Sequence, residues 1–331
     1  MVLRVRFTME DLCRLRVAPG PHPTWEMILS INSLQSPGLP AEHWGWRDTV
    51  VRAARHDLAH RRSLDAAATL VPAAGNFPDF LTPAIVDTEV DAHFEAILAQ
   101  PGQSVRDDLR RTFARTGVVP RWARALYRDG RTKGLVDVLR RYHQLALRQN
   151  WQGVHQHVEG DRARYARLLL TGGVELLLQG LHPSIRWRNP VLEADYPVDH
   201  TIDLAGRGLT VVPAHFCWGA PVTFIDTTEA RQPMLICPAS GDAPATPAGP
   251  DTTEARVDRL GALLGHTRAR LLTELSVADS TTGLATRLAV TPAAVSQHTS
   301  VLRQAGLLTT ARIGQAVRHA LTPLGRALLE G

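Results

Sequence analysis

The residues best suited to chemistry lie near the C-terminus, in the segment TPAAVSQHTSVLRQ that begins at Thr291. In a helix, Val295, Thr299 and Leu302 recur at spacings of four and three residues and share one inward face. The outward face then carries short side chains, one glutamine and one arginine. Glutamine can bond the edge of adenine, and arginine can bond guanine or a phosphate. The pattern therefore predicts a helix face that makes hydrogen bonds to nucleic acid.

The charge of the surrounding sequence supports the same interpretation. Between Ser280 and Leu329 the chain holds five arginines and no acidic residue. An ordinary amphipathic helix also exposes a polar face, but that face usually mixes glutamate with basic residues. The N-terminal end of a helix carries partial positive charge and binds phosphate. We therefore favour contact with nucleic acid over a merely solvated surface.

The flanking sequence predicts the elements that would hold this face. One helix is expected over residues 282–289, with a turn at Val290. Thr291 is a capping residue and Pro292 suits the first helical position, so a second helix is expected over 292–305. Two strands follow in the wing 308–321, on either side of Gly314. A helix, a turn, a helix and an arginine-bearing hairpin is the layout of a winged helix-turn-helix DNA-binding domain.

Eleven residues are the predicted DNA contacts. They are Thr291, Pro292, Ala293, Ser296, Gln297, Ser300 and Arg303 in the helix, Arg312, Gln315 and Arg318 in the hairpin, and Arg287 before them. Ser296, Gln297 and Arg303 are best placed to reach base edges in the major groove. The arginines of the hairpin would hold the backbone or enter the minor groove.

The segments LLGHTRARLLTEL, LATRLAVTPAAVSQHTSVLRQAGLL and TPLG resemble the ArsR-type winged-helix transcriptional regulators over residues 255–330. The resemblance implies a homodimer, most often a repressor, that leaves DNA when an effector binds. Two features depart from the family. Thr299 stands where members usually have leucine, and residues 276–282 lack the cysteine pair of the metal-sensing members. Metal sensing at that position is therefore not implied, and we expect no metal and no cofactor.

The remainder predicts an α+β fold, with a mainly helical N-terminal region that includes a small antiparallel sheet. We divide the chain into a regulatory or dimerisation domain 1–237, a linker 238–253 rich in proline, alanine and glycine, and the DNA-binding domain 254–331. Helices are expected over 84–98 and 135–148. Short alternating strands are expected from Ser184 onward, and the Gly172–Gly173 pair is expected to kink a helix or to pack closely.

The N-terminal region holds weaker candidates for chemistry. His155 and His157 are two residues apart and would point away from each other on a helix, so a shared metal is not favoured. His215 and Cys217 follow a predicted strand, but a nucleophile and base need a spatial pairing that spacing does not establish. No phosphate-binding loop or nucleophile elbow is present in the sequence. We therefore predict no enzyme activity.

Composition sets further bounds. The net charge is +5 and Lys133 is the single lysine. Residues 102–170 hold fifteen basic and six acidic residues, which indicates a solvated charged surface, extra phosphate contact or an anionic effector pocket. Three widely spaced cysteines and no apolar run of membrane-spanning length indicate a reduced, cytoplasmic protein without a signal peptide or membrane span.

These observations predict a cytoplasmic, dimeric transcriptional regulator, most simply a repressor, whose partner is double-stranded promoter DNA. A small-molecule effector is expected, of a class that the sequence does not indicate. Two alternatives stay open. An enzyme with a winged-helix targeting module would show a deep pocket near His155, His200 or His215, and a protein–protein adaptor would show no salt-dependent DNA affinity.

Overall fold

The structure is a computed structural model of the 331-residue chain. It describes residues 1–72, 77–113, 123–196, 199–218, 222–224, 232–239, 253–275, 279–313 and 316–330. The chain divides into two compact units. We call residues 1–35 with 52–245 the N-terminal unit, and residues 36–51 with 246–331 the C-terminal unit. The class is mixed α+β, as predicted, because each unit combines helices with a small sheet.

The N-terminal unit contains two four-stranded sheets. The strands of the first are β1 (Val2–Arg6), β3 (Ile185–Arg188), β4 (Val191–Asp195) and β5 (His200–Asp203). The strands of the second are β2 (Arg16–Val17), β6 (Thr210–Ala214), β7 (Val222–Phe224) and β8 (Met234–Pro238). Their orders are β3-β4-β1-β5 and β2-β6-β8-β7.

The prediction of one small antiparallel sheet is therefore wrong. β1 pairs with β5 in parallel, and β6 pairs in parallel with both β2 and β8. Parallel pairing joins segments far apart in the chain, such as Val17 with Val211, and local alternation carries no information about it. Every residue of β6 is also buried. A strand that is packed on both faces lacks the alternation of apolar and polar residues that marks a half-exposed strand.

Helices separate these strands along the chain, and the third of them begins within residues 36–51 of the C-terminal unit. They are α1 (Met9–Cys13), α2 (Pro23–Gln35), α3 (Trp44–His56), α4 (Leu58–Leu70), α5 (Val90–Leu98), α6 (Gly102–Phe113), α7 (Arg124–Asp129), α8 (Lys133–Ala146) and α9 (Trp151–Gln179). The helix predicted over 84–98 begins later than expected, at Val90. The Ile85 N–H donates to the Pro83 carbonyl, and the Glu89 N–H donates to the Asp87 carboxylate, so two local turns replace its first part. Among the described helices, none is long and apolar enough to cross a membrane.

Helix α9 is broken at the predicted glycine pair. Gly172 and Gly173 have non-helical backbone angles, and Gly173 has a φ of 68°, a value that suits glycine. The second arm turns back along the first, because the Arg164 guanidinium reaches the carbonyls of Gly180 and Leu181. The same guanidinium binds the buried Asp161 carboxylate at 3.0 Å. The predicted kink is confirmed, and it makes α9 a helical hairpin.

The C-terminal unit has its own core and sheet. Its elements are α10 (Thr253–Leu264), α11 (His266–Glu274), β9 (Asp279–Ser280), α12 (Thr281–Leu288), α13 (Pro292–Gln304), β10 (Leu308–Ile313), β11 (Ala316–Leu321) and α14 (Pro323–Glu330). The sheet has the order β10-β11-β9. Apolar side chains from α10, α11, α12 and α13 pack in one cluster, which includes Leu272, Leu284, Val295 and Leu302. These bounds match the predicted elements within one or two residues.

Residues 36–51 belong to the C-terminal unit, which the sequence does not indicate. Leu39 and Trp44 pack with Ala320 of β11, and the Trp44 indole N–H donates to the Leu39 carbonyl at 2.8 Å. A short 3₁₀ turn, Ala41–His43, lies between them. The division predicted at 237 and 254 therefore misplaces this segment, because an association between distant parts of the chain leaves no local signature. Most of the predicted linker 238–253 lies outside the described residues.

Candidate nucleic-acid interface

The start of α13 is fixed by backbone conformation and hydrogen bonds within a few residues. Ala289 ends α12 in the left-handed conformation, with φ 55° and ψ 44°, and the Val290 N–H donates back to the Ala285 carbonyl. Thr291 then caps α13, its hydroxyl accepting the Ala294 N–H at 3.2 Å. Pro292 occupies the first turn, where the absence of an N–H costs nothing. The tight turn at Ala289 sets the angle at which α13 leaves α12.

The two faces of α13 differ as predicted. Val295, Thr299 and Leu302 are buried. Thr299 donates its hydroxyl to the Val295 carbonyl at 2.8 Å. The polar atom in this core position is therefore satisfied by the helix itself. On the other face, Thr291, Pro292, Ala293, Ser296, Gln297 and Arg303 are exposed and Ser300 is partly exposed. We call these seven residues the contact face.

The three-stranded sheet beside α13 is held by a buried histidine. His319 of β11 contacts the Thr281 hydroxyl through Nε2 and the Thr310 hydroxyl through Nδ1, both at 2.9 Å. Burial lowers its pKa, and the positive charge of Arg303 lowers it further. The imidazole thus connects the start of α12 with both strands of the hairpin.

The register of the hairpin separates its two arginines. Arg312 lies opposite Val317, and Arg318 lies opposite Ala311. Because neighbouring residues of a strand point to opposite faces, Arg312 and Arg318 lie on different faces of the hairpin. Arg312 is exposed. The sequence predicted the same role for both arginines, on the backbone or in the minor groove, and did not indicate this difference.

The Arg318 face is covered by residues 36–51. Ala311 and Ala320, which share this face with Arg318, pack against Leu39 and Trp44. The Arg318 guanidinium donates to the Pro37 carbonyl at 2.8 Å. Arg326 of α14 binds Glu42 of the same segment at 2.9 Å. Arg318 is therefore already engaged within the unit.

Two other predicted contacts are less direct than the sequence suggests. Arg287 binds the carboxylates of Glu274 at 3.0 Å and Asp279 at 2.7 Å. A phosphate would have to compete with both of these partners. Gln315 lies outside the described residues.

In the N-terminal unit the structure brings together histidines that the sequence leaves apart. His157 of α9 and His215, which follows β6, approach each other through their Nδ1 atoms at 3.0 Å. His157 Nε2 contacts the Ala239 carbonyl at 3.0 Å, so this nitrogen carries the proton in the neutral ring. His155 and His200 contribute no atom to this pair. Among the described residues, no group of three or more potential ligands is placed to hold a metal.

A buried carboxylate supports the same region and was missed from the sequence. Glu26 of α2 accepts the His215 N–H at 2.7 Å and the Phe216 N–H at 3.0 Å. Burial raises the pKa of Glu26 to about 7. An acidic residue in a largely apolar helix is a weak signal of such a role. It caps the end of β6 and fixes the loop that carries His215 and the buried Cys217.

The basic helices of residues 102–170 are compensated by nearby acids. Arg110 pairs with Asp107 at 2.8 Å and Arg162 with Glu159 at 2.6 Å, and both pairs are separated by three residues on one helix. Arg140 of α8 pairs with Asp91 of α5. These contacts offset much of the positive charge of the stretch locally.

No family model matches the chain, and no curated protein or solved structure matches it either.

Proposed function

We propose that the protein is a DNA-binding transcriptional regulator, most simply a repressor that occupies a promoter. Helix α13 is the recognition helix, and its contact face enters the major groove. Residues 308–321 form the wing, which lies on the backbone or in the minor groove. The C-terminal unit is thus a winged helix-turn-helix domain of the ArsR type.

One observation carries this proposal. The contact face is exposed and carries no carboxylate, and no acid occurs anywhere between Ser280 and Leu329. An acid-free surface with an arginine at one end and a helix N-terminus at the other is compatible with a polyanion. A surface used only for solvation has no reason to exclude glutamate and aspartate over fifty residues.

We further propose that the protein acts as a homodimer in the cytoplasm. Leu263 of α10 and Leu324 of α14 are 73 % and 60 % exposed, large apolar side chains that a second copy would cover. A two-fold dimer would place one recognition helix in each half-site, about 34 Å apart along the DNA. The N-terminal unit supplies dimerisation, effector sensing or both, and we assign it no catalytic role.

The decisive experiment compares binding of the purified full-length protein to the DNA upstream of its own gene and to random DNA. Fluorescence anisotropy at two salt concentrations is expected to show tighter binding to the upstream DNA, weakening steeply as salt rises. Arg303→Ala is expected to weaken specific binding by about 1–3 kcal/mol. Arg326→Ala is the matched control, because that arginine is paired with Glu42 and is not part of the contact face.

Three outcomes separate the alternatives. Unchanged affinity of Arg303→Ala for both DNAs would remove Arg303 from the interface. Equal affinity for upstream and random DNA would leave a nonspecific DNA-binding protein. Absence of any salt-dependent DNA affinity would favour the protein–protein adaptor instead.

A further inference from the structure

The N-terminal unit contains a cleft that none of the DNA-binding residues uses. Its volume is about 250 Å³. The first arm of α9 supplies Arg162, Tyr165 and Leu169, and the second arm supplies Val174 and Leu177. The break at 172–173 creates this cleft, because an unbroken helix would carry its last two turns away from the first arm.

Strand β2 closes the third side of the cleft. Leu15, Arg16 and Val17 line it opposite α9. The leucine and valine pack on the core of the N-terminal unit, and Arg16 itself is exposed. The cleft therefore has apolar walls with two arginines on opposite sides, one from the strand and one from the helix.

The charge of this lining favours an anion. Arg162 binds Glu159 through Nη1 alone, at 2.6 and 2.8 Å to the two carboxylate oxygens. These two charges offset each other, and Arg16 leaves the lining net positive. A carboxylate binds a guanidinium through short, charge-assisted hydrogen bonds, so a lining that contains two arginines suits an anionic group.

The apolar walls favour an organic ligand over a bare inorganic ion. Leu169 is 43 % exposed although it lines a concave surface. Drug-sized ligands occupy pockets of about 300–1,000 Å³, so this cleft suits a smaller molecule. Burying an apolar ring or short chain would remove both the ligand and the leucine side chains from water.

We propose that this cleft binds a small monocarboxylate with an apolar tail, held by Arg16 and Arg162 at the carboxylate and by Tyr165, Leu169, Val174 and Leu177 around the tail. The role of this ligand as the effector rests on the proposed function, to which the ligand class adds a chemical identity. The binding itself does not depend on DNA.

The test titrates full-length protein with phenylacetate and with hexanoate by isothermal titration calorimetry. Saturable one-to-one binding of at least one of them is expected. Phenylacetamide, which lacks the charge, and acetate, which lacks the tail, are expected to bind at least tenfold more weakly than phenylacetate. Inorganic phosphate is expected not to bind. Absence of saturable binding by both carboxylates, or equal binding of phenylacetamide, overturns the proposal.

Variants locate the site. Arg162→Gln and Arg16→Gln are each expected to weaken binding about tenfold or more, since each removes a charge-assisted contact. Arg167→Gln, an exposed arginine of the same helix that does not line the cleft, is the control and is expected to stay within twofold. Ala166→Phe fills the cleft from an exposed position and is expected to abolish binding.

Methyl-labelled leucine and valine report the position of the ligand by NMR. Shifts are expected at Val174 and Leu177, and unchanged resonances there during saturable binding would overturn the site. Anisotropy with promoter DNA then tests the effector role. Wild-type protein that binds phenylacetate yet keeps its DNA affinity overturns that role alone. Protein that binds the ligand but no DNA overturns the proposed function and leaves the cleft in place.

Discussion

Helix α13 and the hairpin β10–β11 lie side by side in one unit, carry arginines of the same kind and yet present them differently. Arg303 lies on the exposed contact face of the helix, in a stretch without acids. Arg318 is tied to the Pro37 carbonyl, on a hairpin face that residues 36–51 cover. From the sequence alone, both arginines are predicted to contact DNA.

The difference shows that basic composition does not by itself define a DNA-binding surface. The helix face follows from a repeat of 3.6 residues, so its exposure is decided locally. The exposure of a strand face depends on what packs against it, and here the cover comes from more than 250 residues earlier in the chain. Arg312 lies near the tip of the hairpin, where its side chain is exposed, and is the better candidate for a backbone contact.

The largest expected effect contrasts the two faces of α13 itself. Leu302 is 1 % exposed and lies in the core of the C-terminal unit, whereas Val301 is 41 % exposed. Leu302→Ala is expected to lower the free energy of unfolding by about 2–5 kcal/mol through lost burial and a cavity. Val301→Ala is expected to change it by about 0.5 kcal/mol or less. Urea titration, with hydrogen exchange of α13 peptides as the readout, would measure both. Similar losses at the two positions would contradict the burial pattern.

A smaller effect separates the faces of the hairpin. Arg312→Ala is expected to weaken DNA binding across sequences and to reduce the salt dependence by about one phosphate contact. Arg318→Ala is expected to leave DNA affinity nearly unchanged and to cost about 1 kcal/mol or less in stability, since it removes the bond to Pro37. Dissociation constants measured over a series of salt concentrations distinguish these results. A larger loss of affinity for Arg318→Ala than for Arg312→Ala would contradict the assignment of the backbone contact to Arg312.

The pH dependence of the hairpin is expected to be weaker still, because His319 keeps a hydroxyl partner on each nitrogen in either protonation state. Burial lowers the pKa of His319 in the folded protein below the 6.5 of an ordinary imidazole. Between the pKa of His319 in the folded protein and about 6.5, the unfolded chain therefore binds more protons than the folded protein. The stability of the folded protein consequently falls as the pH drops below about 6.5. Hydrogen exchange of hairpin peptides, corrected for intrinsic rates, is expected to show this loss, and His319→Gln is expected to flatten it. An identical slope in His319→Gln would assign the effect to another group, and His266→Gln, at an exposed position, serves as the control.

The smallest effect concerns the turn that positions α13. Ala289 adopts the left-handed conformation, which costs an L-residue about 1–2 kcal/mol. Ala289→Gly removes that strain but increases the entropy of the unfolded chain, so a net gain of about 0.5 kcal/mol in stability is expected. Thermal unfolding of the two proteins under identical conditions measures it. A loss of stability instead would mean that the alanine methyl group contributes packing that outweighs the strain.

The local architecture of the C-terminal unit can be predicted from its sequence. The Thr291 cap, the glycine after α13 and the spacing of Val295, Thr299 and Leu302 predict a helix within one residue of its observed bounds. The last helix begins at a similar local cap, since the Thr322 hydroxyl accepts the Gly325 N–H at 3.1 Å. Caps, turns and helical periods act over four residues or fewer, so they can be recognised without knowing the fold.

The sequence did not predict which surfaces of those elements are packed against other segments, or which residues far apart in the chain come into contact. The packing of residues 36–51 on the hairpin, the parallel pairing of β6, the contact between His157 and His215 and the cleft at the bend of α9 each join segments far apart in the chain. Such contacts depend on how whole elements pack, and many sequences with the same local periods could pack otherwise. The type of surface was therefore predictable for α13, whereas the engagement of Arg318 and the position of the cleft were not.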